Sequence, residues 1–337
     1  PTEGWDQDYV TWGHYFSNSP MRIDEQEFNS WIVSFGIELI LFNEQQDWEA
    51  VLFANKYRIP SVAYIDYYTE ETAPFFELYD GLICNTHRHY SVFEKHSCSV
   101  YIPWGTDVDL YIPIKKIADN NVVFFHSAGM GGLGLRKGTD LLVKAFKEVK
   151  GNTKLVIHSQ VSSDMLGDCA QYIADDPRID FIHKTVAAPG LYHLGDVYVY
   201  PSRLDGIGLT IAEALASGLA VITTDSPPMN EFVFSGINGA LVDIDKYKDR
   251  TDGYYWPETE CSVAHLTKTM QEYVDSPDRA KKESESARQF AIERLSWKGN
   301  NSAILDFFEK ISNMTVPSKK HLGIYDDALI NSLWDRK

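Results

Sequence analysis

Short apolar runs separated by amphipathic stretches occur in two successive blocks, and this alternation constrains the fold more than any other feature of the chain. In the first block the runs are Ile37–Phe42, Ser61–Ile65, Gly81–Cys84 and Val100–Ile102. Brief apolar runs bounded by turn formers, as Gly36 and Asn43 bound the first, read as buried strands. Between them, Asp47–Tyr57 puts Trp48, Val51, Leu52 and Ala54 on one helical face, and Arg58-Ile59-Pro60 ends it. The second block runs through Val122–Phe125, Leu155–His158, Ile179–His183, Val197–Tyr200, Ala220–Thr223 and Ala240–Val242. Helices are expected there at Gly138–Val149 and at Leu209–Ser217, the latter closed by Gly218. Strand–helix alternation predicts parallel sheets covered by helices, so two doubly wound α/β domains in tandem.

The rhythm breaks at Tyr111–Asn121, where Pro113, two lysines and a polar run intervene. This places the first domain at residues 1–115 and the second at 116–295. A helical segment, 296–337, is expected to pack back towards the first domain. The 337 residues agree with two domains of about 100–200 residues each. The first is short for its type and opens at Pro1 without a Met, so it is expected to lack part of a native N-terminus. Beyond Asp252 the pattern changes to an aromatic loop, Asp252–Glu258, followed by exposed amphipathic helices at Ser262–Val274, Arg279–Arg294 and Asn301–Ile311 and a short one at Asp326–Trp334.

Charge narrows the partners. With 48 acidic against 31 basic side chains the net charge is −17, which disfavours nucleic acid or an anionic bilayer as the main partner. No apolar stretch approaches the roughly 18 residues of a spanning helix, which leaves only peripheral membrane contact open. Cys84, Cys98, Cys169 and Cys261 show no metal spacing and read as reduced thiols. Together with the lack of a signal-peptide pattern this predicts a cytoplasmic protein. His87, His89 and His96 have no coherent metal spacing and His14 is isolated, so structural roles are expected for them.

The segment richest in chemistry is Val199–Gly218, VYPSRLDGIGLTIAEALASG. A buried strand runs into a loop holding Gly206 and Gly208 and then into a helix whose free amides and positive dipole end point back at the loop. That is an anion site suited to a pyrophosphate. Asp205 and Glu213 flank it. Carboxylates do not belong against phosphate, so they fit best as acceptors for hydroxyls on either side of a pyrophosphate. The spacing equally allows a dipole-complementing acid plus a mid-helix Glu. Lys137, at a helix start after a Gly-rich loop, is a reasonable phosphate cation.

Asp205 through Glu213, within PSRLDGIGLTIAEALASGLAVI, resembles the E-x7-E signature of retaining glycosyltransferases with the GT-B fold, of the large family-4 type (group 1). That family reads PS-x-x-EGFGL-x-x-x-EA-x-A-x-G-x-P-V-I. Glu231-Phe232-Val233 and Gly236-Ile237-Asn238-Gly239 match its E-x-V and G-x-N-G stretch. Tyr101–Asp107 is similar to its IPNGVD, and Arg136-Lys137-Gly138 with Leu141-Leu142 and Ala145 to its RKG-x-x-x-LL-x-A. The resemblance spans roughly residues 80–245.

It implies a GT-B fold, two Rossmann-like domains facing a central cleft, and metal-independent transfer of a sugar from a UDP- or GDP-linked donor to a hydroxyl acceptor with retention. No cofactor is implied. Lys137 and Arg136 would meet the diphosphate, and the amides of Gly206, Ile207, Gly208, Leu209 and Thr210 the phosphates and the transferred sugar. Asp205 would sit among sugar hydroxyls and Glu213 at the ribose. The stretch Ile182–Val186, with Lys184, lies where the family recognises the base. Three departures stand out. Asp205 replaces a Glu. The loop Ser127–Gly134 lacks the family's Arg. Asp66 follows Ser61–Ile65 where the family often has His, either as an acceptor-binding or basic carboxylate or as a turn former. Two competing readings stay open: another enzyme on the same fold, a phosphorylase or a nucleotide-sugar epimerase, and a catalytically degenerate nucleotide-sugar-binding or scaffold protein.

Overall fold

The computed structural model describes residues 23–43, 48–114, 121–129 and 136–314. Residues 130–134 of the Gly-rich loop, His14 and the helix expected at Asp326–Trp334 lie outside the described residues. The chain begins with helix α1 (Glu25–Phe35), whose N-cap Asp24 accepts the amides of Gln26 and Glu27. Gly36 closes it in the left-handed region and Ile37 N–H bonds back to Ile32 O. Residues 37–39 therefore serve the helix exit, and strand β1 is Ile40–Asn43 and not Ile37–Phe42. Then come α2 (Trp48–Tyr57), β2 (Ser61–Ile65), β3 (Gly81–Cys84), α3 (His87–Phe93) and β4 (Ser99–Tyr101). The four strands form one parallel sheet in sequential order.

The second sheet is built from β5 (Val122–Gly129), β6 (Thr153–Ser159), β7 (Ile179–His183), β8 (Val197–Tyr200), β9 (Ala220–Thr224) and β10 (Gly239–Val242). Helices α4 (Thr139–Glu148), α5 (Asp168–Asp175) and α6 (Leu209–Ala216) connect them. Its order is β10-β9-β8-β5-β6-β7, all parallel. The chain leaves β5 in one direction and returns to its other side as β8, so the β5/β8 junction is a topological switch point, where open α/β sheets form their ligand crevice. Leu142, Phe146, Leu155, Val199 and Ile222 belong to one core cluster of this sheet and Tyr198, Ile211 and Leu215 to another, all buried.

Strands β11 (Ile244–Lys248) and β12 (Glu258–Cys261) pair antiparallel, carrying the aromatic loop at their turn. Helices α7 (Val263–Asp275) and α8 (Pro277–Arg294) follow. They are not simply exposed: Leu266, Met270 and Tyr273 of α7 and Ala287 and Ala291 of α8 are buried in the second domain. Helix α9 (Trp297–Ser312) leaves it and lies on the first sheet. A Cβ on Gly81 would stand 2.8 Å from Ile311 and Phe307, which pack with Val62 and Ile83. Thr106 N–H bonds to Leu295 O at 2.6 Å and Trp297 N–H to Thr106 O at 3.2 Å, so the two crossings between domains run side by side.

Candidate active site

The loops after β5 and β8 are laced together at the switch point. Ser202 Oγ donates to Arg136 O (3.0 Å) and Leu204 O (2.9 Å), and Arg203 N–H bonds to Arg136 O at 2.8 Å. Gly138 takes a left-handed φ of 68° to start α4, and any Cβ there would strike Pro201 O at 1.9 Å. Only glycine allows the two loops this approach.

Inside that lacing sits a buried ion pair. Lys137 Nζ donates to Asp205 Oδ2 at 2.6 Å, and both side chains are nearly closed off from solvent. The Tyr200 hydroxyl bonds to the same carboxylate oxygen and receives Lys137 as well. Asp205 Oδ1 accepts the amides of Gly208 (3.0 Å) and Ile207 (3.3 Å). Burial by itself would raise the Asp205 pKa. The Lys137 charge, the Tyr200 hydroxyl and the Gly208 amide outweigh it and hold the carboxyl down at about 2. Burial lowers the Lys137 ammonium, with Asp205 opposing. The pair is thus charged and internally satisfied.

These bonds revise two expectations. Lys137, expected as a phosphate cation, is already paired with Asp205, so a phosphate would meet a balanced charge. Not all the glycine-loop amides face outward: those of Ile207 and Gly208 turn in to Asp205. The amides of Leu209 and Thr210, first in α6, have no partner among the described residues. Leu209 is exposed, Ile207 and Thr210 half-buried. Arg136 is exposed and contributes its carbonyl to the lacing, while Lys184, also exposed, follows β7 with its carbonyl accepting from His158 Nε2 at 2.9 Å.

Glu213 projects from the middle of α6 between two phenols, Tyr111 (3.0 Å) and Tyr192 (2.5 Å). Burial raises its pKa against the pull of these hydroxyls. It is neither solvated nor idle, and Tyr111 brings the interdomain linker to it. Asp66 reaches the turn from the first domain. Its Oδ1 lies 2.7 Å from where a Cβ on Gly206 would stand. The cleft therefore brings Asp66, Asp205, Lys137, Glu213 and the glycine turn into one neighbourhood.

Two residues here carried no functional reading in the sequence. Glu231 accepts the amides of His87 (2.6 Å) and Arg88 (2.9 Å), finishing α3 of the first domain with a carboxylate from the second. Arg88 is buried and donates to Pro227 O at 2.8 Å, Asp205 O at 2.7 Å and the Tyr254 hydroxyl at 3.3 Å. For Glu231 the nearest signal was its match to the E-x-V stretch; Arg88 lies in the polar run Asn85–His89, where nothing sets it apart. The expected structural histidines have definite places: His87 stacks on Tyr101, and His96 Nε2 lies 3.2 Å from Tyr79 O. Among the described residues no group of three His, Cys, Asp or Glu side chains could hold a metal ion, and no described helix is long and apolar enough to cross a membrane.

Comparison with known proteins gives three results. Residues 123–252 match the family model described as glycosyl transferases group 1. A lipopolysaccharide core biosynthesis mannosyltransferase of Rhizobium leguminosarum bv. viciae is 28% identical over 235 residues, covering 64% of this chain and 61% of that protein. An alpha-maltose-1-phosphate synthase of Mycolicibacterium smegmatis is 30% identical over 116 residues, 34% of this chain and 27% of its own. The chain thus spans less than two thirds of either relative. In structure, a glycosyltransferase from Rickettsia africae ESF-5 superposes with a TM-score of 0.71 at 16% identity, covering 86% of this chain and 81% of that one. Anabaena HepE, in complex with UDP and glucose, superposes at 0.63 and 16% identity, covering 83% and 81%.

Proposed function

We propose that the chain, whose residues 123–252 match the group 1 glycosyl transferases and whose fold is GT-B, moves a sugar from a nucleotide diphosphate sugar to a hydroxyl acceptor with retention at the anomeric carbon. The observation that carries this reading is the charged Lys137–Asp205 pair under a glycine turn, at the sheet's switch point, with Asp66 of the other domain against the turn.

Such a transfer needs the leaving diphosphate stabilised more than it needs a side-chain nucleophile. The two outward amides at the start of α6 supply positive potential there, with Lys137 beneath them partly offset by Asp205, and the transfer is expected to proceed without a metal. Asp205 holds Lys137 in place and keeps it charged despite burial. Glu213, gripped by Tyr111 and Tyr192, is the hydroxyl acceptor for the donor's ribose. Asp66 faces the acceptor side of the turn. Closure of the domains excludes water, which would otherwise hydrolyse the donor. The donor is UDP- or GDP-linked. The acceptor is a glycan, a lipid-linked sugar or a small alcohol.

The balanced charge of Lys137 favours one competing reading, a nucleotide-sugar-binding protein without turnover. Calorimetry with a panel of UDP- and GDP-sugars, followed by NMR of the product's anomeric configuration with chelator present, separates the two. Transfer with retention in chelator supports the proposal. Binding without turnover supports the competitor, and the absence of binding sinks both. Glu213→Ala is expected to weaken nucleotide binding by about 1–3 kcal/mol, since its hydroxyl partners are left unpaired.

A further inference from the structure

The proposed reaction gives no task to the aromatic loop Asp252–Trp256. This loop leaves the second domain on the β11–β12 hairpin and lies along the residues that follow β2. Thr69 and Tyr254 form an antiparallel bridge, Tyr255 N–H bonds to Tyr68 O at 3.0 Å, and the rings of Tyr67 and Tyr254 stack 5.1 Å apart. Beneath it the Tyr68 side chain is wholly buried. Its hydroxyl receives Trp256 Nε1–H at 2.7 Å and lies 3.0 Å from His89 Nδ1.

Donor and acceptor inventory fixes the protons in this chain. An indole N–H only donates, so the Tyr68 oxygen accepts from Trp256. If His89 Nδ1 also carried a hydrogen, the Tyr68 hydroxyl proton would be buried with no acceptor among the described residues, a costly arrangement. Tyr68 therefore donates to Nδ1, and the ring hydrogen sits on Nε2. Burial first, and the neighbouring Arg88 charge second, push the imidazole pKa down to about 3, so the ring stays neutral. Nε2 is buried, has no regular hydrogen-bond partner among the described residues, and faces the backbone of Gly206. Arg88, the preceding residue, reaches Asp205 O at 2.7 Å and Gly206 O at 3.5 Å, with its guanidinium 5.5 Å over the Trp256 ring.

We propose that His89, set in its Nε2–H tautomer by Trp256 and Tyr68, is a positioning residue that presents its Nε2–H towards the Gly206 backbone beside Arg88, whose guanidinium donates to the Asp205–Gly206 turn. The relay starts in the second domain, passes through the first and ends on the second again. It is complete only when the domains are closed, so the turn is held in its working shape only around a closed cleft. The functional part of this inference rests on the transferase reading; the tautomer does not.

Two measurements on the full chain keep these apart. Long-range nitrogen–proton NMR of the ring of His89, assigned by its loss in His89→Gln, reports the tautomer without any substrate. The Nε2–H pattern is expected, and Trp256→Phe should turn it into a mixture. An Nδ1–H or doubly protonated ring in the parent chain overturns the proposal, whatever the protein transfers. In steady-state assays Trp256→Phe and Tyr68→Phe should each lower kcat about tenfold, leave donor KM within about twofold, and combine without further loss, because small misplacements of a reacting site cost rate. His89→Gln, which keeps an N–H near the Nε2 position, should retain more activity than His89→Ala. Additive losses, or losses confined to KM, overturn the positioning role. Should Trp256→Phe fail to fold, Tyr68→Phe serves in both measurements. If the parent chain shows no turnover with any nucleotide sugar, the transferase reading falls and takes the positioning role with it, while the NMR still decides the tautomer.

Discussion

The two sides of the cleft are built on different plans. On the second domain the side chains are wired within one domain: Lys137, Asp205 and Tyr200 at the end of β8 satisfy one another, and Ser202 ties their two loops together through Arg136 O. On the first domain the corresponding groups are finished by the other domain. Glu231 completes α3, Tyr254 and Trp256 hold Arg88 and Tyr68, and Gly206 makes room for Asp66. One side therefore has its side-chain ion pair satisfied within its own domain, with only the backbone of its turn met by Arg88 from across the cleft. The other acquires its geometry only on closure.

Breaking the self-contained side should cost the most. Asp205→Ala leaves Lys137 buried without its counter-charge and is expected to destabilise the second domain by about 3–5 kcal/mol, in the range for breaking a buried pair. Urea unfolding with a probe in that domain measures it. A change below about 1 kcal/mol would mean that the pair is not sealed from water.

A pH experiment compares the two sides next. His89 of the first domain and His126 of the second have pKa values pushed down to about 3 and about 4, in both cases mainly by burial. Each folded pKa lies below the unfolded value near 6.5, so each contribution is fully present above pH 6.5 and lost as pH falls towards the folded value. At pH 5 the loss is about 2 kcal/mol for each, from 1.36 kcal/mol per unit. Denaturant titrations at pH 7 and pH 5 should show it in both domains, and a loss confined to one would assign the other ring to solvent.

Gly206→Ala sharpens the contrast. Its Cβ would meet Asp66 Oδ1 at 2.7 Å, so closure should lose about 1–3 kcal/mol, the usual cost of overpacking. Compaction on nucleotide binding, read by small-angle scattering, should fall while second-domain stability holds, and Asp66→Ala in the same chain should restore it. Equal losses in single and double variants would dissociate Asp66 from closure. Smallest of the set, Tyr111→Phe should weaken nucleotide binding by about 0.5–1.5 kcal/mol, one hydrogen bond's worth, through a less firmly held Glu213. Titration calorimetry reads it directly.

The same division governs what could be read from the sequence. The switch-point centre was legible because its parts lie in short motifs: the strand ending at Tyr200, the glycines at 206 and 208, the RKG run and the uncharged α6 that made Glu213 conspicuous. What those residues touch was not legible. Tyr111 lies 102 residues from Glu213 and Tyr254 lies 166 residues from Arg88, and no periodicity marks such pairs. The hairpin β11–β12 escaped for a different reason. Most of Ile244–Lys248 is exposed and charged, so it carries no apolar signal. The exit from α1 shortened β1 because a left-handed Gly36 and the Ile37 amide belong to the helix end.

The docking of α9 has a consequence for synthesis. The first domain leaves the ribosome long before Phe307 and Ile311, yet these two side chains cover Val62, Ile83 and the close approach at Gly81. Through most of translation that sheet carries an uncovered apolar face, and it is sealed only after the second domain has been made. Of the two domains, the one made earlier is thus finished later. A nascent chain stalled before Trp297 should be the species most dependent on chaperones.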